Sequence, residues 1–384
     1  MFLAPLQANA SAKKPRPFDL SKIPTDDSWE DTGIMAEEIK PCGRDYVYMG
    51  LKKIKAKNEE DDRYRLHVRN MVTGDEQLSA AEPYQHEKFI GCTPDSRFLF
   101  IENSPYQLPS ELHVYDTATM KKALTITSGS ESGGAPSLHS FSPDGRYLLT
   151  DEKKSSIIIL PDGRKITLLP LEHQLGGNVI SATWSADSKK VYAIIKRGPD
   201  ELVIYDVETG KQRVVVLKYN DSKYSDHIGV GILVHPETGK VYIHAGFADG
   251  MELSSVEYLF MFDPAELPKK GKRNVVKPKF LGNIFATVEC GPGGTLLFSM
   301  MPDQEGYEPS FPKAYEGIFL ADSDGKVLKR VTKSEGKDEG CCKIYPRFMP
   351  ERNFLIVTRQ NVTLGDEPFW RDTIYRKKNF QQPR

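Results

Sequence analysis

Short apolar runs recur along the chain, and each run follows a polar turn of similar composition. In the clearest copy, Ser142-Pro143-Asp144-Gly145-Arg146 precedes Tyr147-Leu148-Leu149. Proline fixes φ at the first central position of a turn, and Asp and Gly accept the bridge and left-handed conformations that complete it. Continuous apolar runs are typical of strands that are buried on both faces. Each copy therefore predicts a tight turn that leads into a buried strand.

Seven copies of this turn divide the chain at intervals of 43 to 58 residues. A second polar turn, seen in full at Tyr205-Asp206-Val207-Glu208-Thr209-Gly210-Lys211, closes most copies and reverses the chain into another strand. Each copy thus predicts about four antiparallel strands. The residues that anchor the first turn are Pro41, Pro94, Pro143, Ala186, Pro236, Pro292 and Pro350.

A unit of turns and strands repeated at this period is the sequence signature of a β-propeller. We predict an all-β, seven-bladed β-propeller of four-stranded antiparallel blades over residues 32–384, preceded by an N-terminal arm over residues 13–31. The last copy is short of an outer strand, and we expect residues 32–39 to supply it. The ring would then be closed by an N-terminal strand, which removes open sheet edges.

The first turn and the Tyr-Asp-x-x-Thr-Gly-Lys turn together resemble the WD40-like repeat of TolB-type bacterial propellers. The resemblance covers residues 41–380, and the second, third and fourth copies carry it best. The fifth, sixth and seventh copies depart from the pattern, and the sixth and seventh lack the Asp of the first turn. The family motif consists of structural turn residues, so the resemblance implies the fold and names no catalytic residue.

Composition narrows the class of partner. Hydrophobic residues make up 39% of the chain and charged residues 27%, with a net charge of −1. The absence of a basic excess argues against nucleic acid as a partner. No apolar stretch approaches the ~18 residues of a transmembrane helix. We expect one soluble domain that is monomeric.

The first twelve residues resemble the end of a secretory signal. Met1-Phe2-Leu3-Ala4-Pro5-Leu6 is apolar, and Asn9-Ala10-Ser11-Ala12 offers a small-residue cleavage site. We therefore interpret residues 1–12 as a signal remnant and predict a periplasmic or secreted protein. A short tail on a cytoplasmic protein is the alternative.

The five cysteines leave the compartment open. Cys42, Cys92 and Cys290 lie in or beside the repeated turns, where we expect small buried side chains. The adjacent Cys341 and Cys342 either remain free thiols on opposite faces of a strand or form a vicinal disulfide. No spacing of the Cys-x-x-Cys type is present.

Known catalytic motifs are absent from the sequence, which contains no Gly-x-Ser-x-Gly elbow, phosphate-binding loop or metalloprotease helix motif. The sequence requires no cofactor. One constellation arises from the register of the repeats, because equivalent positions in different blades converge on one mouth of the central channel. His and Cys at such a mouth suit zinc or copper, although polar residues are also common in loops. The candidate metal ligands are His86, Asn178, His227 and Cys342, and the candidate catalytic groups are His86, His139, Asp226 and His227.

Three segments rich in aromatic residues and proline lie between the second and third strands of the second, sixth and seventh copies. They should share one face of the disc. Aromatic side chains dominate interface energetics, so the segments either form a docking surface or fold back over the blades. The candidate binding residues are Tyr106, Tyr307, Phe311, Tyr315, Phe369 and Trp370.

Two functions remain open at this point. The first is a binding or scaffold protein that presents loops on one face of the disc to a protein or peptide partner. The alternative is an enzyme, namely a metal-assisted or acid–base lyase, lactonase or hydrolase, with its site at the channel mouth.

Overall fold

The computed structural model describes residues 30–36, 38–55, 63–83, 86–104, 111–127, 137–152, 154–160, 162–167, 178–196, 200–219, 227–249, 252–267, 275–284, 288–291, 293–300, 317–330, 344–348, 354–364 and 367–377. In these segments the chain forms 30 β-strands, and its only helical element is a 3-10 turn at Pro264–Glu266. The predicted all-β class is confirmed.

The strands form seven sheets, which we number from the first repeat onward. Sheet 1 contains β2 (Lys40–Cys42), β3 (Tyr46–Ile54), β4 (Arg63–Asn70), β5 (Glu76–Leu78) and β6 (Glu82–Pro83). Sheet 2 contains β7 (His86–Cys92), β8 (Phe98–Ser104), β9 (Glu111–Asp116) and β10 (Lys121–Thr127). Sheet 3 contains β11 (Ser137–Phe141), β12 (Tyr147–Glu152), β13 (Lys154–Ile159) and β14 (Lys165–Thr167).

The remaining sheets follow the same plan. Sheet 4 contains β15 (Asn178–Trp184), β16 (Lys190–Lys196), β17 (Asp200–Asp206), β18 (Gln212–Leu217) and β22 (Val275–Val276). Sheet 5 contains β19 (His227–Val234), β20 (Val241–Asp249), β21 (Glu252–Phe262) and β23 (Lys279–Ile284). Sheet 6 contains β24 (Val288–Gly291), β25 (Thr295–Met300), β26 (Gly317–Asp322) and β27 (Val327–Arg330). Sheet 7 contains β28 (Ile344–Phe348), β29 (Phe354–Leu364), β30 (Glu367–Lys377) and β1 (Glu30–Ala36).

In each sheet, strands that follow one another along the chain generally lie side by side and antiparallel. Four strands is the commonest sheet size. The exception in direction is β22, which adds to β18 in parallel. Sheet 7 takes its fourth strand from the other end of the chain. Its β1 pairs antiparallel with β30, with Glu30 opposite Arg376 and Ala36 opposite Asp372.

In the second, third and fourth repeats the first turn is closed by its own side chains. Ser142 Oγ donates to Asp144 Oδ1 (2.6 Å) and accepts the N–H of Tyr147 (2.9 Å), while the N–H of Arg146 donates to the same carboxylate oxygen (3.1 Å). Gly145 takes the left-handed conformation at φ 70°. Ser, Asp and Gly therefore recur because each satisfies a backbone group or a dihedral that the turn requires.

Successive turns also contact one another. Ser96 stands in the left-handed position of the second turn, and its Oγ accepts the backbone N–H groups of Arg44 and Asp45 (2.7 Å for Asp45) from the first turn. Ser188 in the fourth turn accepts the N–H of Asp144 in the third turn in the same way (3.2 Å). Each turn residue thus serves its own hairpin and the neighbouring sheet.

The fifth turn lacks the Ser–Asp pair and uses a histidine instead. His235 Nδ1 accepts the N–H groups of Glu237 (3.2 Å) and Thr238 (3.3 Å), so Nε2 carries the proton and donates to Thr295 O in sheet 6 (3.0 Å). Burial lowers the pKa of His235, which favours the neutral ring that this arrangement needs.

The core consists of apolar layers between neighbouring sheets. Residues 98–101 and 191–195 are entirely buried, which confirms the prediction of strands covered on both faces. Apolar clusters join sheets 1 and 2, 2 and 3, 3 and 4, 4 and 5, and 5 and 6. Strand β28 of sheet 7 lies against β24 and β25 of sheet 6, and β1 of sheet 7 contributes Ile34 and Ala36 to a cluster with sheet 1.

Cys42 is buried, as expected, but the sequence did not predict that it is bonded to another cysteine. Cys42 at the end of β2 and Cys92 at the end of β7 form a disulfide that links sheets 1 and 2, with Cα atoms 4.9 Å apart. The two residues end the first strands of neighbouring sheets, and the stacking of those sheets brings them together. Cys290 remains a free thiol among the described residues, and burial raises the pKa of its thiol.

Contact between the turns predicts that two glycines with the same backbone conformation tolerate alanine differently. Gly43 (φ 62°) lies where an added Cβ would meet Ser96 Cα at 2.6 Å, whereas Gly239 (φ 70°) has nothing within 4 Å. Gly239→Ala should cost the left-handed penalty of about 1–2 kcal/mol, and Gly43→Ala should cost about 1–3 kcal/mol more through overpacking. Urea unfolding measures both free energies, and equal losses would contradict the contact.

The disulfide closes a loop of 50 residues, which predicts a stabilisation of about 4 kcal/mol through the unfolded chain. Replacing both Cys42 and Cys92 by Ser should lower the free energy of unfolding by this order. A reducing agent should bring the wild-type protein to the same stability and leave the double variant unchanged. An equal response of both proteins to the reductant would argue against the Cys42–Cys92 bond.

Candidate functional site

The structure places three of the candidate metal ligands at one strand position. His86, Asn178 and His227 are the first residues of β7, β15 and β19, which are the first strands of sheets 2, 4 and 5. His139 lies further along the first strand of sheet 3, at the bulge between Leu138 and Ser140. His86 and Asn178 are opposite Ser104 and Lys196, each 10 residues after the anchor of its turn, whereas His227 is opposite Phe247, 11 residues after its anchor. The side chains of these four residues are outside the described part, as are Asp226 and Cys342, so a shared site stays a prediction.

Two of the candidate binding residues belong to a strand, which corrects the expectation of a loop. Phe369 and Trp370 lie in β30, opposite Val362 and Asn361 of β29. Pro368, in the same stretch, has no backbone N–H to donate. This position needs no donor for a third strand, because β1 pairs with β30 only between positions 372 and 376. Tyr106, Tyr307, Phe311 and Tyr315 lie outside the described residues.

The structure also gathers three side chains that the sequence analysis did not select. One carboxylate oxygen each from Glu82 and Glu87 and one ring nitrogen of His113 all lie within 4.8 Å of one another. Glu82 belongs to β6 of sheet 1, whereas Glu87 and His113 belong to β7 and β9 of sheet 2. We call these three residues the Glu–His cluster. It lies at the interface between the two sheets that the disulfide also joins.

Strand register positions this group. Asn103 in β8 is opposite Glu87 on one side and Glu111 on the other, and Ile101 is opposite His113. Because alternate residues of a strand share a face, these residues lie on the face of sheet 2 that packs against sheet 1. That face therefore begins with an apolar layer and ends in a polar one.

Comparison with sheet 4 shows how unusual the polar layer is. The positions held by Glu87, Asn103, Glu111 and His113 in sheet 2 are held in sheet 4 by Val179, Ile195, Glu201 and Val203. His113 thus occupies the position that Val203 holds in sheet 4, and Val203 is fully buried. The sequence signal was a histidine within the otherwise apolar run Leu112-His113-Val114-Tyr115, and the partners of that histidine are distant in sequence.

Hydrogen bonds define the state of the imidazole. His113 Nε2 lies 2.9 Å from Glu111 Oε2, and a carboxylate accepts only, so Nε2 carries the proton. His113 Nδ1 is buried and has no hydrogen-bond partner within the described part of the chain. The side chain of His113 is 5% exposed. The imidazole therefore keeps an unpaired acceptor, and one of its two ring nitrogens lies within 4.8 Å of the carboxylates of Glu82 and Glu87.

Two further groups contact Glu82. The Tyr115 hydroxyl donates to Glu82 Oε1 (3.4 Å), and the Lys122 ammonium lies 3.2 Å from Glu82 Oε2. Among the described residues, Lys122 is the cation that contacts the cluster. Its side chain is 33% exposed. It neutralises one carboxylate from the rim of the interface.

Charge and burial shift the acid–base behaviour of the cluster. Burial and the charge of Glu82 raise the pKa of Glu87 to about 7, against the opposing effect of Lys122. Burial and the two carboxylates also raise the pKa of Tyr115 well above its usual range. Two carboxyl groups this close favour a shared cation or a proton between them.

Comparison with known proteins informs the fold. No protein-family model matches the sequence, and no curated protein matches it. A solved structure from a study of two prolyl endopeptidases aligns with a TM-score of 0.54 at 13% identity, over 90% of this chain and 48% of that chain. The chain therefore spans about half the length of that protein.

Two further solved structures are β-propeller domains. That of the Trilobed protease from Pyrococcus furiosus aligns with a TM-score of 0.47 at 13% identity, over 84% of this chain and 88% of the other. That of Cps50 (Swd1) from Myceliophteria thermophila gives 0.44 at 9% identity, over 88% and 98%. At these identities the likeness concerns the fold alone, and the neighbours are of the β-propeller type.

In the described residues no helix is long and apolar enough to span a bilayer.

The raised pKa of Glu87 predicts a pH dependence of stability in metal-free buffer. Between the ordinary value of 4.5 and about 7 the folded state holds this proton more tightly than the unfolded state. Stability should therefore fall as the pH rises through this interval and level off above it. Glu87→Gln should remove that slope. Urea unfolding at a series of pH values tests this, and parallel profiles for the two proteins would contradict it.

Proposed function

We propose that the seven sheets are the blades of a closed β-propeller and that β1 closes the ring. The support is the circuit of contacts. Apolar clusters join each sheet to the next from sheet 1 to sheet 6, and β28 lies against β24 and β25. The circuit returns to its start because Ile34 and Ala36 of sheet 7 pack against Ile39, Val47 and Met49 at sheet 1.

The function that the geometry supports best is a binding scaffold, which presents one face of this disc to a protein or peptide partner. The observation that carries the proposal is the length of the hairpins between second and third strands. In sheet 7, β28 pairs with positions 354–358 and β1 with positions 372–376. The hairpin between them stays paired as far as Leu364 and Glu367.

Sheet 5 has a similar extension. Strands β20 and β21 remain paired to Asp249 and Glu252, whereas β23 pairs with β21 only between positions 257 and 261. Within the described residues these ribbon ends carry strand edges that no third strand covers. Such edges offer backbone groups to an extended peptide, which can add as a further strand.

The segments that carry the aromatic candidates would share one face of this propeller. Phe369 and Trp370 lie on the sheet 7 ribbon, and the connections at 105–110 and 301–316 likewise join second to third strands. Aromatic side chains beside an open strand edge combine specificity with backbone pairing. We infer that the partner binds here as an extended segment.

We also place the protein in the periplasm or outside the cell, as a monomer. The disulfide between Cys42 and Cys92 supports this location, because such bonds persist in oxidising compartments.

The alternative function is an enzyme at the channel mouth, a metal-assisted or acid–base lyase, lactonase or hydrolase. The position of His86, Asn178 and His227 at the start of first strands favours it. His86, His139, Asp226 and His227 would act as ligands or bases there.

The scaffold predicts a partner whose capture depends on the sheet 7 ribbon. Tagged protein from its native host, mildly cross-linked and read by mass spectrometry, should retain one partner near stoichiometry. Replacing Phe369 and Trp370 by Ser should abolish capture, because the docking face loses its aromatic anchors. The matched control is Val72→Ser, which removes a 54% exposed apolar side chain at a turn between third and fourth strands, on the opposite face.

Retention of the partner by the ribbon variant would overturn the docking face. Absence of any partner, together with bound metal that is lost when His86 and His227 become Ala, would favour the enzyme instead.

A further inference from the structure

We propose that Glu82, Glu87 and His113 bind a divalent transition-metal ion of the zinc class at the interface of sheets 1 and 2. The ligand atoms already lie within 4.8 Å of one another. Tetrahedral zinc with bonds of about 2.1 Å would bring these atoms to ~3.4 Å from one another. That closure would require the side chains of Glu82 and Glu87 to rotate toward the imidazole.

The tautomer of the His113 imidazole suits a metal ligand. Glu111 accepts the Nε2 proton of His113 at 2.9 Å, which fixes the tautomer and leaves the lone pair of Nδ1 available. Nδ1 is buried and lacks a hydrogen-bond donor among the described residues. A carboxylate behind a ligating histidine is the usual support of a metal site, since it fixes the ring and raises its basicity.

The donor set selects the class of ion. One imidazole nitrogen with two carboxylate oxygens suits Zn²⁺ and neighbouring transition metals. Ca²⁺ and Mg²⁺ prefer sets made of oxygen alone. Three protein ligands leave a fourth position for water.

When no ion is bound, the ammonium group of Lys122 supplies positive charge beside Glu82, as a bound ion would. Its ammonium pairs with Glu82 at 3.2 Å from a partly exposed position at the rim. A divalent ion between the carboxylates would release this lysine to solvent. The lysine therefore competes with the metal, and its removal should strengthen binding.

The ion would join sheets 1 and 2, because Glu82 comes from one sheet and the other two ligands from the next. The Cys42–Cys92 disulfide crosses the same interface. Polar residues here replace side chains that are apolar at most of the equivalent positions of sheet 4, so a metal restores cohesion that the apolar layer lacks. Metal binding should accordingly stabilise the folded protein in proportion to its affinity.

The test measures Zn²⁺ binding to chelator-stripped protein by calorimetry, with stoichiometry from native mass spectrometry. We expect one ion at this site, bound more than ~100-fold more weakly by His113→Val and Glu87→Gln and about 10–100-fold more weakly by Glu111→Gln. Lys122→Met should bind more tightly. His67→Gln is the matched control, because His67 pairs with a single carboxylate, Glu76, at 3.1 Å; its affinity should equal that of the wild type.

Unchanged affinity in the His113 and Glu87 variants would overturn the site, as would binding of Ca²⁺ or Mg²⁺ in preference to Zn²⁺. A crystal of the wild-type protein with Zn²⁺ decides the matter even where a variant fails to fold. Anomalous scattering at the zinc edge should give a peak among Glu82, Glu87 and His113, and peaks found only elsewhere would refute the proposal.

Discussion

Burial of each sheet by its neighbours is the constraint on which the rest of the structure depends. The inner strands are apolar on both faces, as residues 98–101 and 191–195 show, so no single sheet can shield them from water. Each sheet must lie between two others, and a linear stack would leave two faces open. The closed ring that we propose would cover every sheet, and in that ring the strand that β1 adds to sheet 7 would matter out of proportion to its length.

The repeated turns serve the same constraint at what would be one face of the proposed disc. Ser96 and Ser188 hold the backbone of the neighbouring turn, and His235 does comparable work between sheets 5 and 6. The opposite face is free of this requirement, so its connections vary in length and carry the ribbons and aromatic segments. The interface of sheets 1 and 2 departs from the pattern, with a polar group at one end and a disulfide at the other. The features that repeat thus hold the sheets together, whereas the candidate sites lie where the repeats differ.

The sequence predicted the features that depend on residues close together in the chain. The turn residues and the apolar runs after them predicted the strands, because the hydrogen bonds of Ser142 and Asp144 join residues close in the chain. It failed where contacts join different repeats. Cys42 and Cys92 are 50 residues apart, and Glu82 meets His113 only once two sheets stack. Phe369 and Trp370 were predicted to lie in a segment between the second and third strands, but they lie on β30, where the edge position tolerates Pro368.

The most direct test of the closed ring compares two N-terminal deletions by urea unfolding. Removal of residues 1–29 leaves β1 intact, whereas removal of residues 1–36 deletes it. The ring predicts that the first deletion keeps the unfolding transition of the full chain. The second should shift that transition to clearly lower urea and broaden it, since sheets 7 and 1 lose the strand between them. Identical transitions for the two deletions would contradict closure by β1.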